Sequence, residues 1–385
     1  MFKKNIIFEN YKFKKKINKV TKDLQELLKK QPLLFKTLKP SYQYSYSKKI
    51  LSKYKKFSNI RIIGMGGSIL GTEAIHDFLK QKIKKKLIFI NNLNNNKDYF
   101  QNKNINLNLI ISKSGNTLET IVNANTFIKA KDKNIFITES KDSYLANLAK
   151  KLKSEIFEHK NYVGGRYSVL SEVGMLPVEL MNLNENKFKQ FNNLIKDKIF
   201  INNLINNVSA TLNLIGEKKY TSVILNYDQQ SDNLFKWYQQ LIAESLGKKS
   251  KGILPIVSSM PKDNHSLMQL YLDGPKKSFY TFFNVFENNT IKIKNNKILN
   301  SHKFLKNQSV EKIKQAQMLA TEKVFLSKKM PFRSFRVLKR NEQSLGELFC
   351  FFILETILLG RALNVNPFDQ PSVELIKKET HKILG

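Results

Sequence analysis

LNLIISKSGNTLET, residues 107–120, is the stretch from which the fold can be read. Leu107 to Ile111 is an apolar run of the length of a buried strand. Leu118, Ile121, Val122, Asn125 and Ile128 then fall on one face at helical spacing. Between the two stand Ser112, Lys113, Ser114, Gly115, Asn116 and Thr117. A strand thus hands over to a helix through hydroxyls and free backbone N–H groups. Such a junction favours an anion, because the orphan N–H groups and the helix dipole both point at it. The spacing predicts Asn116 as the helix N-cap, with Glu119 completing a capping box.

Outward from this stretch the alternation repeats. Ile60–Ile63, Leu87–Ile90 and Ile135–Phe136–Ile137 read as strands, with helices through Phe78–Leu79 and around Tyr144–Leu152. Later come strands at Ser222–Leu225, Ile253–Val257, Phe279–Val285 and Phe335–Leu338. Helices are expected near 231–245, from His265, over 310–326, over 344–363 and after Pro371. Strands alternating with helices predict α/β units with mainly parallel sheets flanked by helices. The expected organisation is a helical, lysine-rich segment over 1–55, α/β units over 56–180 and 181–364, and a helical tail over 365–385.

The formal net charge is +35, from 66 Lys+Arg against 31 Asp+Glu. The lysines are spread along the chain with abundant asparagine and isoleucine, as A/T-rich codon usage would give. No nucleic-acid motif accompanies them, and clusters such as KKKINK (14–19) read as solvated, so a nucleic-acid role is not expected. An acidic small substrate suits the same charge. A single cysteine, Cys350, excludes an intrachain disulfide. The longest apolar run, Leu348–Leu354, is too short for a bilayer, where about 20 residues are needed. The expectation is a cytoplasmic protein with no membrane partner.

GMGGSILG (64–71) is a second strand-to-helix loop. Its spacing does not match G-x-G-x-x-G, because the third glycine position falls on Ile69. Two such loops from neighbouring strands can build one pocket at the carboxyl edge of a sheet. In FKWYQQLIAES, Gln240 and Glu244 are four apart on one helical face, with Leu234, Trp237, Leu241 and Ala243 as apolar surroundings. Arg166 follows two glycines, where a guanidinium can meet an anion. His265 stands at a helix start after a turn signal, and Lys377 on the terminal helix. His76, His302 and His381 read as surface groups, and His159 is undistinguished. No histidine pair has metal-ligand spacing, so no catalytic metal is expected.

GMGGSILG, SKSGNTLET, VGGRYSVLSEVGMLP, WYQQLIAESLGKKSKGILP, DNHSLMQLYLDGP and NPFDQPSVELIKKET resemble, in order, the motifs of the glucose-6-phosphate isomerase family, over roughly residues 55–382. The resemblance implies two sugar-isomerase (SIS-type) domains and a cofactor-free interconversion of glucose 6-phosphate and fructose 6-phosphate in glycolysis and gluconeogenesis. It implies Glu244 as the base that moves a proton between C2 and C1 through an enediol(ate). It implies His265, supplied across a homodimer interface, and Lys377 in ring opening, and Arg166 in stabilising the intermediate. Ser112, Lys113, Ser114 and Thr117 match the phosphate loop. Gly67, Ser68, Gln240 and Gln370 match positions lining the sugar. The loop reads SKSGNT where SKTFTT is frequent, and PSVE replaces PGVE. These departures leave open a dual phosphoglucose/phosphomannose isomerase. A non-catalytic sugar-phosphate-binding regulator is the alternative of another class.

Overall fold

The structure, a computed structural model, describes residues 5–12, 17–93, 107–129, 131–287 and 290–385. Of the KKKINK cluster, residues 14–16 lie outside the described residues.

Two five-stranded sheets form the frame. The first contains β2 (Asn59–Gly64), β3 (Lys86–Ile90), β4 (Leu107–Ile111), β5 (Lys133–Thr138) and β6 (Glu155–Glu158). All its pairings are parallel, in the order β3-β2-β4-β5-β6. β4 is buried at all five positions, as expected of a central parallel strand covered on both faces. Chain order reverses between β2 and β4, which are direct neighbours. The crevice beyond their carboxyl ends is therefore a topological switch point, where open α/β sheets bind ligands. GMGGSILG follows β2 and SKSGNT follows β4, so the two loops meet there.

The second sheet runs β1-β10-β9-β7-β8, with β1 (Ile6–Glu9), β7 (Thr221–Asn226), β8 (Leu254–Ser259), β9 (Ser278–Val285) and β10 (Phe332–Val337). It is parallel except for β1, which pairs antiparallel with β10. This corrects the expectation that residues 1–55 are helical: Ile6 and Phe8 are buried on the sheet, and among the described residues the first helix is Asn18–Lys30. Helices 198–216 and 342–362 pack together within a large apolar cluster that also takes in Val20, Leu24 and Leu27 of the N-terminal segment. Residues 344–360 are buried without a break. The helix Asp232–Leu246 packs on the helix Leu70–Phe78 and so carries side chains of the second unit onto the ligand edge of the first. Within it Ala243 is exposed, so Trp237, Leu234 and Leu241 alone of the expected set are buried.

Candidate active site

The loop after β4 is tied to the next strand. Ser112 N–H donates to Ile137 O at 3.1 Å, and Glu139 N–H to Lys113 O at 3.0 Å. Gly115 has φ +69°, and a Cβ there would lie 2.1 Å from Ser143 Oγ, so the loop needs glycine at this bend. The following helix, Leu118–Phe127, has Thr117 at its N-cap, not Asn116. Asn116 Oδ1 accepts instead from Tyr144 N–H at 2.9 Å, at the start of the next helix. Thr117 Oγ1 is 2.9 Å from Ser112 Oγ. Ser112 is buried and holds Thr117; Lys113, Ser114 and Thr117 themselves face a cavity.

That cavity, of about 370 Å³, gathers most of the expected residues. Gly67 and Ser68 line it from the loop after β2, and Arg166 from the 165–170 turn. Gln240 and Glu244 reach it from the 232–246 helix, and Gln370 and Lys377 from the C-terminal segment. Gly67 packs backbone to backbone on the turn: a Cβ there would stand 2.2 Å from Gly165 C and 2.5 Å from Arg166 N.

Arg166 is buried and fully engaged. Its Nε donates to Ser245 Oγ at 2.8 Å, and its Nη2 to Pro367 O at 2.6 Å and Asp369 O at 3.1 Å. Its Nη1 donates to Gln370 Oε1 at 2.6 Å and to Glu244 Oε2 at 3.3 Å. Glu244 Oε1 accepts from Gln240 Nε2 at 2.9 Å. The carboxylate is thus oriented from both sides while its side chain keeps 31% exposure, and so stays open to a ligand. Lys248 clamps the same C-terminal turn, donating to Asn366 O and pairing with Asp369 at 2.8 Å.

Two expected residues differ in circumstance. Lys377 lines the cavity, paired with Glu374 at 2.6 Å. His265 does not line the cavity: it is exposed in the 262–265 turn after β8. Of the other histidines, His76 is not a free surface group, since only 14% of its side chain is exposed and its Nδ1 is 2.8 Å from Asp77. His159 is buried, and burial pushes its pKa down to about 4.

Sequence reading missed Glu139 and Lys141, which also line the cavity. A signal was available: they follow β5, the neighbour of β4, at the same carboxyl edge. Among the described residues, no three His, Cys, Asp or Glu side chains gather as a metal cage. None of the described helices is long and apolar enough to cross a membrane.

The family model described as phosphoglucose isomerase matches residues 46–385. The glucose-6-phosphate isomerase of Methanocaldococcus jannaschii is 34% identical over 348 residues, 85% of each chain. That of Leptospira interrogans is 30% identical over 356 residues, covering 85% of this chain and 80% of its own. In structure, a hypothetical protein from Thermus thermophilus superposes with a TM-score of 0.83 at 21% identity, covering 96% of this chain and 95% of its own. A glucose-6-phosphate isomerase from Chlamydia trachomatis gives 0.71 at 20% identity, covering 88% and 72%. The fold is thus that of the sugar isomerases, and the chain belongs to the phosphoglucose isomerase family.

Proposed function

We propose that this aldose–ketose isomerase interconverts glucose 6-phosphate and fructose 6-phosphate, a step of glycolysis and gluconeogenesis, by proton transfer through an enediolate. The observation that carries the reading is the meeting of a hydroxyl-rich loop, a bound guanidinium and an oriented carboxylate in one cavity. Lys113, Ser114 and Thr117 hold the phosphate, with Ser112 fixing Thr117. That anchorage presents the other end of the sugar to Glu244 and makes the reaction effectively intramolecular. Glu244 takes the proton from the carbon beside the carbonyl and returns it to the neighbouring carbon. Charge then develops on the enediolate oxygens. Arg166 stabilises it, because a guanidinium held by five acceptors needs no reorganisation as the oxyanion forms. Gly67, Ser68, Gln240 and Gln370 line the sugar.

Ring opening needs a proton donor and acceptor at the ring oxygen and the anomeric hydroxyl. Lys377, which lines the cavity, supplies one. His265 of the partner subunit supplies the other in a homodimer, in keeping with its exposure on each chain. The test is a coupled assay on purified protein, with fructose 6-phosphate supplied, glucose 6-phosphate detected and mannose 6-phosphate run in parallel. Turnover between the first two is the expected result. Turnover of mannose 6-phosphate as well would make the enzyme dual, and none with any of the three would overturn the reading.

A further inference from the structure

Glu139 puts a carboxylate inside a cavity built for an anion. Its Oε2 is 2.5 Å from Lys141 Nζ and its Oε1 3.7 Å from Lys113 Nζ. Its backbone N–H is bonded to the carbonyl of Lys113, so the carboxylate is fixed to the loop it faces. Only 14% of the side chain is exposed, and Glu139, Lys141, Lys113, Ser114 and Thr117 all line the cavity. Burial lowers the pKa of Lys113, and Glu139 opposes that shift. Lys113 Nζ also donates to Asn161 O at 2.8 Å, so its head is held on two sides. A carboxylate this close to a phosphate site repels a dianion, and at partly screened distances the repulsion is large enough to matter.

We propose that Glu139 is a built-in counter-anion of the phosphate cradle: it positions Lys113 and Lys141 and competes with the ligand's phosphate for them. Glu139 thereby limits affinity for the phosphate group and favours release of a product that carries the same phosphate as the substrate. The inference rests on the sugar-phosphate reading of the site.

The test compares the wild type with Glu139→Gln at fixed ionic strength. Two constants are read: KM for fructose 6-phosphate, and the inhibition constant of inorganic sulfate as a phosphate-like dianion. Both are expected to fall together in Glu139→Gln, by about fivefold. Glu139→Asp, which keeps the charge, is expected to lie nearer the wild type than the glutamine variant. Constants that are unchanged or raised in a folded Glu139→Gln protein overturn the inference, since the carboxylate would then aid binding or play no part. If Glu139→Gln fails to fold by circular dichroism, Glu139→Ala is read in the same way. Should the wild type turn over no sugar phosphate, the functional reading has failed. Sulfate binding measured by calorimetry on the same proteins then still decides the role of Glu139.

Discussion

Gly67 has no room for a side chain. Its Cα side faces the Gly165–Arg166 peptide, with 2.2 Å between a would-be Cβ and Gly165 C. Neither partner in this contact is a flexible side chain, so a methyl group must push the two loops apart. Gly67→Ala is predicted to cost about 1–3 kcal/mol of stability, as overpacking does. It is also predicted to lower kcat/KM by about 100-fold, because Arg166 moves with its turn. Urea melts and steady-state kinetics check both, and wild-type kinetics in the variant would contradict the contact. At this scale the sequence singled out residues that the structure brings to one cavity, as Glu244, Gln240 and Lys113. It was silent on what holds Arg166. Two of its partners, Pro367 O and Asp369 O, are carbonyl oxygens about 200 positions away, which leave no mark in residue type, and Ser245 Oγ lies about 80 positions away.

Strands and helices were legible where apolar runs were long enough to show a period. β4 and the 310–327 and 342–362 helices fall within a few residues of their expected bounds. β1 and β6 were missed: in IIFE and EIFE the apolar residues number three and two and a glutamate closes each, so neither reads as a continuous apolar run. The capping box failed for another reason. Asn116 had a second use, at the start of the 144–151 helix, that only tertiary structure reveals. Lys189 is a further feature that no pattern announces. It is buried, donates to Thr37 O at 2.5 Å and to Leu170 O, and lies over the rings of Tyr42 and Tyr44. It thereby ties the 33–38 turn and the tyrosines to the turn that carries Arg166. Burial lowers its pKa from 10.5 to about 7. The unfolded chain holds this proton up to about pH 10.5, whereas the folded chain releases it near 7. In between, the unfolded state binds more protons, so stability rises with pH across that window. Lys189→Met is predicted to flatten this rise. Urea midpoints taken between pH 6.5 and about 9.5 measure it, and a variant with the wild-type slope would contradict the assignment.

Across the whole molecule, the cavity draws on both α/β units: loops from the first sheet, the 232–246 helix from the second and the C-terminal segment over both. The strand order that makes β2 and β4 neighbours was not readable, since periodicity gives elements and not their adjacency. The position of His265 outside the cavity implies a testable division of labour. If His265 of the partner subunit completes each site, Glu244→Gln and His265→Ala proteins are each inactive alone. Mixed by unfolding and refolding, they are predicted to recover roughly a quarter of the wild-type rate, since half the dimers then hold one intact site. No recovery in mixtures shown to contain heterodimer would contradict the supply of His265 across the interface. The central claim, proton transfer by Glu244, is tested most directly by isomerisation in D2O followed by NMR at sugar C1 and C2. The account predicts that deuterium enters the sugar during wild-type turnover. It also predicts that Glu244→Gln exchanges at least about 100-fold more slowly while still binding fructose 6-phosphate. Many turnovers without deuterium, or exchange undiminished in Glu244→Gln, would contradict it.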